Sequence, residues 1–252
     1  MKRYLNSVRQ LKNPRSFWKE YYDRKKNDYA EYQSVSLKGG YRVLVPTSLM
    51  SAFDEVFLRE VYAGNFKIKP DSTIIDIGAN VGYFALYAYK HYKPQRLIAF
   101  EPMPFNCELL EKHRDLNGIN TLEIVQKAVA SDAVSIQIGY NESVDFSVGA
   151  SVLQRSASDQ TLEVKAISLY DLLNEYQVEV CELLKVDCEG AEYDILLNAS
   201  SESYERINAI VIELHDWVPK EIGVPNDLKN KLESNGFQVY IRKDEILFAN
   251  KN

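Results

Sequence analysis

Two carboxylates and a glycine turn carry the first chemical reading of this chain. Asp76 closes the apolar run T-I-I-D and is followed by I-G-A-N-V-G, so Gly78 and Gly82 stand four apart in a turn that opens a helix near Val81. Glu101 closes a second apolar run, R-L-I-A-F-E, 25 residues further on. In an open α/β sheet, ligands sit beyond the carboxyl ends of the strands, and an acid after the second strand accepts ribose hydroxyls. The pair therefore points to a nucleoside ligand. A dinucleotide with its pyrophosphate calls for G-x-G-x-x-G, and the third glycine is missing. A carboxylate at Asp76 instead suits the ammonium and sulfonium of S-adenosylmethionine, and the absent side chain of Gly78 lets the methionyl part lie against the backbone.

Further acids stand where two later strands should end. L-L-K-V-D delivers Asp187, with Glu189, Gly190 and Glu192 opening the next helix, and A-I-V-I-E-L-H-D delivers Glu213, His215 and Asp216. Methyl transfer to an alcohol needs the hydroxyl proton to leave, and a positioned base contributes roughly 10²–10⁴-fold. His215, with an ordinary pKa of about 6.5, is the candidate base, and Asp187 and Glu213 are expected to converge with it beside the methyl group. A second scheme has Asp187 with Glu213 or Asp216 hold Mg²⁺, which prefers oxygen ligands and acidifies a bound hydroxyl. His91 and His113 fall on helical segments and are not expected to act. Two other functions share parts of this pattern: a nicotinamide-dependent oxidoreductase, which should carry the third glycine, and a non-catalytic binding module, which should lack the strand-end acids.

The segments D-I-G-A-N-V-G, E-P-M-P-F-N-C-E-L-L-E-K-H-R-D-L-N and L-L-K-V-D-C-E-G-A-E-Y-D-I-L, in this order between about Phe53 and Glu213, resemble the FkbM-type methyltransferases. The resemblance implies an S-adenosylmethionine-dependent enzyme that typically methylates hydroxyls of sugars, glycans or natural products. It also implies that Asp76, Gly78, Asn80 and Gly82 line the methionyl side and that Glu101 holds the ribose. Asn106 matches the family pattern too.

The elements that must position these groups follow from periodicity. Strands are expected at about 72–77, 96–101 and 122–128, with helices near 82–91 and 104–117, which makes a parallel βαβαβ half. Residues 133–167 hold three β-rich runs without room for a crossover helix, including V-G-A-S-V-L, and are expected to form a small insertion at the ligand end of the sheet. Order resumes with a helix at 168–176, strands at 183–187 and 207–214, and a helix near 225–234. The runs F-Q-V-Y-I-R and E-I-L-F-A-N then form a hairpin across Lys243-Asp244, forced antiparallel by its short turn. These elements make an α/β fold with a mixed seven-stranded sheet and an antiparallel last strand, and the resemblance implies that it is a Rossmann-like class I methyltransferase. Residues 1–50 form an N-terminal extension, helical over 15–33, and 51–252 the catalytic domain, whose helical face at Ser51–Tyr62 precedes its first strand.

At 252 residues and 46% hydrophobic composition, the chain can bury one substantial core. Charge is uneven: eleven Lys/Arg face four Asp/Glu through Arg42, a local +7, so the remainder carries −13 within the formal −6. An acidic body argues against a nucleic-acid substrate, whose phosphates need a basic face. The basic segment is rich in Trp18 and tyrosines, and is expected to pack on the domain or to rest on an anionic membrane surface. Three cysteines with no metal-type spacing (Cys107, Cys181 and Cys188) suggest reduced thiols in the cytoplasm, where the sequons at Asn141 and Asn198 carry no meaning. The basic start lacks a signal-peptide core.

Overall fold

The computed structural model describes residues 2–24, 32–132, 134–140, 160–243 and 245–251. Helices α1 (Lys2–Gln10) and α2 (Pro14–Arg24) lead to a hairpin of β1 (Tyr32–Ser36) and β2 (Arg42–Pro46). A short α3 (Met50–Phe53) widens into a π-helical turn over Asp54–Arg59 and stops at Glu60, whose φ of 52° is left-handed. The alternating part follows as β3 (Thr73–Ile77), α4 (Tyr83–Tyr92), β4 (Arg96–Phe100), α5 (Pro104–Asn117) and β5 (Leu122–Val125). Next come the short strands β6 (Ala128–Val129), β7 (Ser135–Tyr140) and β8 (Gln160–Ile167), then α6 (Leu169–Glu175), β9 (Leu183–Val186), α7 (Glu192–Leu197) and α8 (Ser201–Glu205). β10 (Ala209–Glu213), α9 (Pro225–Ser234), β11 (Gln238–Ile241) and β12 (Ile246–Asn250) end the chain.

Seven strands form one sheet in the order β5-β4-β3-β9-β10-β12-β11, with β12 antiparallel to both neighbours. The strand order reverses between β3 and β9, so the crevice that binds ligands in such sheets opens there. Alternation sorts the side chains. Ile74, Leu97, Leu183 and Val211 join a core shared with Leu11, Phe17, Phe53 and Phe57 of the N-terminal elements. Ile75, Ile98, Leu184 and Ile212 pack on the other face with α6, α7 and α9. Period two then sends Asp76, Lys185 and Glu213 to the N-terminal face.

Several elements differ from expectation for physical reasons. The helix expected over 15–33 gives way to β1 by Tyr32, where burial alternates at Gln33 and Val35 as the strand pairs with β2. α1 escaped detection because its buried face is polar: Asn6, Ser7 and Gln10 point inward. The helical face expected over 51–62 is present through Arg59, but its turns widen to the π form while Phe53 and Phe57 pack in a tilted pair with ring centroids 5.1 Å apart. The strand expected over 122–128 breaks at Gln126, so β5 stays in the main sheet and β6 pairs β8 in a separate three-stranded sheet with β7. V-G-A-S-V-L lies outside the described residues.

Candidate active site

Glu101 follows β4 and is nearly inaccessible. Its Oε2 accepts the Asn80 amide at 2.7 Å, and its Oε1 accepts the Met103 amide at 3.0 Å and Asn106 Nδ2 at 3.1 Å. Burial raises its pKa, opposed by those hydrogen bonds. Asn80 can donate because it adopts a left-handed conformation, φ 50°, that turns its amide toward Glu101. A carboxylate offers about four acceptor positions, so one remains on Oε2. Asn106 Oδ1 is buried with no hydrogen-bond partner among the described residues. Asn106 thus keeps an unmatched acceptor next to the Glu101 carboxylate.

These groups line a cleft of about 680 Å³, its open mouth included, at the carboxyl ends of β3, β4 and β9. Gly78, Asn80, Glu101 and Asn106 form its polar side together with Asp187 and Glu189, and Val129, Ile136 and Ile138 form an apolar wall from the small sheet. The insertion therefore reaches the cleft.

The two glycines serve the framework. A Cβ on Gly78, whose φ is +73°, would stand 1.8 Å from the carbonyl oxygen of Asp187, so its absence lets the β3 and β9 ends meet. A Cβ on Gly82 would stand 2.0 Å from Leu110 Cδ1 of α5. Gly82 faces that helix and is not among the residues lining the cleft.

Asp76 lies beneath the cleft floor. It is fully buried, Oδ1 sits 3.1 Å from Lys185 Nζ outside hydrogen-bond alignment, and Oδ2 has no hydrogen-bond partner among the described residues. Burial raises its pKa, with Lys185 opposing. Lys185 also donates to Gly78 O at 2.8 Å and lies 3.4 Å from Asp187 Oδ2. Burial would lower its pKa, but Asp76 and Asp187 outweigh that and raise it, so it stays charged.

Tyr62 completes the cluster. Its hydroxyl faces Asp187 Oδ2 at 3.0 Å and Glu213 Oε2 in a shorter contact. One phenolic proton cannot serve both carboxylates at once. Burial, then the neighbouring Asp187 charge, pushes the Glu213 pKa up to about 7, as expected of two acids sharing one site. Neither Tyr62 nor Lys185 stood out from spacing. A lysine inside an otherwise apolar parallel strand was the available signal for Lys185, since such a charge needs a buried partner, and Asp76 stands opposite in register. Tyr62 offered none.

His215 sits behind this group. Its Nδ1 is 2.9 Å from Glu192 Oε1, which also accepts the His215 amide, and its Nε2 is 3.6 Å from Glu189. Burial lowers its pKa, but Glu192 and further acids raise it on balance to about 9. Asp216 is exposed. No group of three or more His, Cys, Asp or Glu side chains is arranged to hold a metal among the described residues, and Mg²⁺ finds no support: Asp187 and Glu213 converge on a phenol. His113 is structural, accepting the Leu44 amide at Nε2 and facing Val81 O at Nδ1.

The sheet order and the cleft at its strand ends define a Rossmann-like α/β fold. The Methyltransferase FkbM domain matches residues 76–239, and the chain belongs to that family. It is 28% identical over 250 residues to the AMB antimetabolite synthetase AmbE of Pseudomonas aeruginosa, covering 84% of this chain but only 12% of that much longer protein. It is 23% identical to the 31-O-demethyl-FK506 methyltransferase FkbM of Streptomyces tacrolimicus, covering 77% of this chain and 84% of that one. Among solved structures, the methyltransferase FkbM of Methylobacillus flagellatus aligns with a TM-score of 0.52 at 15% identity, covering 78% of this chain and 47% of that one.

Proposed function

We propose that the protein O-methylates a hydroxyl group of a sugar, glycan or natural-product acceptor. The observation that carries this reading is Glu213, a carboxyl with a pKa of about 7 that shares the Tyr62 hydroxyl with Asp187; Asp187 lines the cleft, and Glu213 stands behind it at the end of the next strand. A base is most effective when its pKa lies near the working pH. When bound, S-adenosylmethionine supplies an electrophilic methyl group. Glu101 and Asn106 Oδ1 would hold its ribose, and Val129, Ile136 and Ile138 would cover its base. Asn80 and Gly78 shape the backbone on its methionyl side, while Asp76 acts through Lys185 by fixing the Gly78 carbonyl.

In this reading Glu213 takes the acceptor proton, and Tyr62 together with Asp187 sets its protonation. His215 supplies a fixed positive charge that orients Glu189 and Glu192, because a group with its pKa near 9 is protonated at neutrality and cannot accept a proton. The acidic body after Arg42 fits a small-molecule or glycan acceptor better than a nucleic acid. Residues 51–252 would form the catalytic domain and 1–50 its extension, and three free thiols fit the cytoplasm.

The test is transfer of a labelled methyl group to sugars, nucleotide sugars and hydroxylated metabolites, with the product position read by NMR. Label should appear as a methoxy group. Glu101→Ala, which removes a charge-assisted contact worth roughly 1.5–3 kcal/mol, should weaken S-adenosylhomocysteine binding at least about tenfold in calorimetry. Label on nitrogen, or unchanged affinity, would count against the assignment.

A further inference from the structure

α1 is built inside out. Its inward side carries Asn6, Ser7, Gln10 and Arg3, tied to Leu58 O, Trp18 Nε1, Glu60 and Asp54 respectively. Its outward side carries Leu5 and Val8, which keep 65% and 58% of their surface exposed, beside Tyr4. An apolar stripe on a surface helix normally faces the core. Here the core face is fully occupied by polar anchors, so the exposed stripe is not left over from packing.

The stripe continues onto α2. Tyr22, also exposed, meets Tyr4 hydroxyl to hydroxyl at 2.6 Å, which joins the two helices into one apolar and aromatic patch. Helical geometry places exposed Arg15 and Lys19 in the same sector of α2 as Tyr22, and exposed Lys2 beside Leu5 on α1. Trp18, in contrast, is buried and donates to Ser7, so it belongs to the core and not to this patch. Aliphatic side chains flanked by tyrosines and rimmed by lysine and arginine match the headgroup boundary of an anionic bilayer, where apolar burial and attraction to lipid charge act together.

We infer that the outer face of α1, extended by Tyr22, Arg15 and Lys19 of α2, docks the protein on an anionic membrane surface. The acidic remainder of the chain would orient this end toward the lipid. The strand-end acids stay in the body of the protein, so this docking stands apart from the methyl-transfer reading.

The test is co-sedimentation of the full chain with phosphatidylcholine vesicles, with and without phosphatidylserine, at low and high salt. Binding should require phosphatidylserine and fall with salt. Leu5→Glu/Val8→Glu and, separately, Arg15→Glu/Lys19→Glu should each reduce it by at least about tenfold, with circular dichroism and S-adenosylhomocysteine affinity unchanged. Absence of binding at low salt would overturn the inference, as would binding that both variants retain. A dimer seen by light scattering and abolished by Leu5→Glu/Val8→Glu would also overturn it, assigning the patch to a second copy of the chain.

Discussion

Replacing Lys185 with methionine isolates the electrostatic support under the cleft. The side chain keeps its length but loses its charge, leaving Asp76 fully buried without a cation and Gly78 O without its donor. Removing one member of a buried ion pair costs roughly 3–5 kcal/mol. At roughly 2–4 °C per kcal/mol for a chain of this size, Lys185→Met should lower Tm by roughly 6–20 °C. The deficit should also depend on pH. Burial already raises the Asp76 pKa, and losing Lys185 raises it further. A carboxyl with a raised folded-state pKa binds protons more readily folded than unfolded, so acidification favours the folded state. The gap between wild type and variant should be full at neutral pH and narrow as pH falls through the folded-state pKa of Asp76. Combining Lys185→Met with Asp76→Asn should cost less than the sum of the two, since no unpaired charge remains. Thermal melts across pH measure all three. A loss under about 1 kcal/mol, or a gap that does not narrow on acidification, would show that water or rearrangement neutralises Asp76.

Glu213→Gln should lower turnover by roughly 10²–10⁴ and remove the rise in activity expected of the wild type as pH increases through about 7. Tyr62→Phe should move that rise to higher pH, because the phenol bond favours the Glu213 carboxylate; an unmoved profile would detach Tyr62 from Glu213. In chemical denaturation, Gly78→Ala should cost more than Gly82→Ala. Both need positive φ, but the first meets the Asp187 backbone at 1.8 Å and the second meets only the tip of Leu110. Gly82→Ala should cost about 1–3 kcal/mol, and equal losses would contradict the geometry.

What could be read from residues alone was what periodicity and turn chemistry encode. β3, β4, α5 and the closing hairpin announce themselves by apolar runs, by glycine turns and by a two-residue reversal, and Glu101 sits at a strand end that the pattern marks. The cleft's apolar wall was only half legible. Its strands were visible as an insertion, but which of their faces turns toward β3 depends on tertiary packing. Lys185 and Tyr62 were hidden for a different reason: each matters through a partner more than a hundred residues away in sequence, and although a lysine in an apolar strand signals that a partner is needed, no local pattern says which residue it is. α1 was hidden because pattern reading looks for apolar residues inside, and here they are outside.

The two unexpected features meet in one segment. α1 rests on the π turn through Arg3 to Asp54, Asn6 to Leu58 O, and Arg9 and Gln10 to Glu60. That turn ends at Glu60, two residues before the phenol that bridges Asp187 and Glu213. π-helical turns recur where an element must place a side chain out of register with an α-helix, and here the widened turn delivers Tyr62 to the carboxylates. A truncation of the N-terminal helices would therefore be a poor probe of membrane docking. It would remove Leu11, Phe17 and Trp18 from the shared core and free the turn that positions Tyr62, so docking and catalysis would fail together. Substitutions on the outer face of α1 leave those anchors intact, and only they can separate a lipid contact from support of the active site.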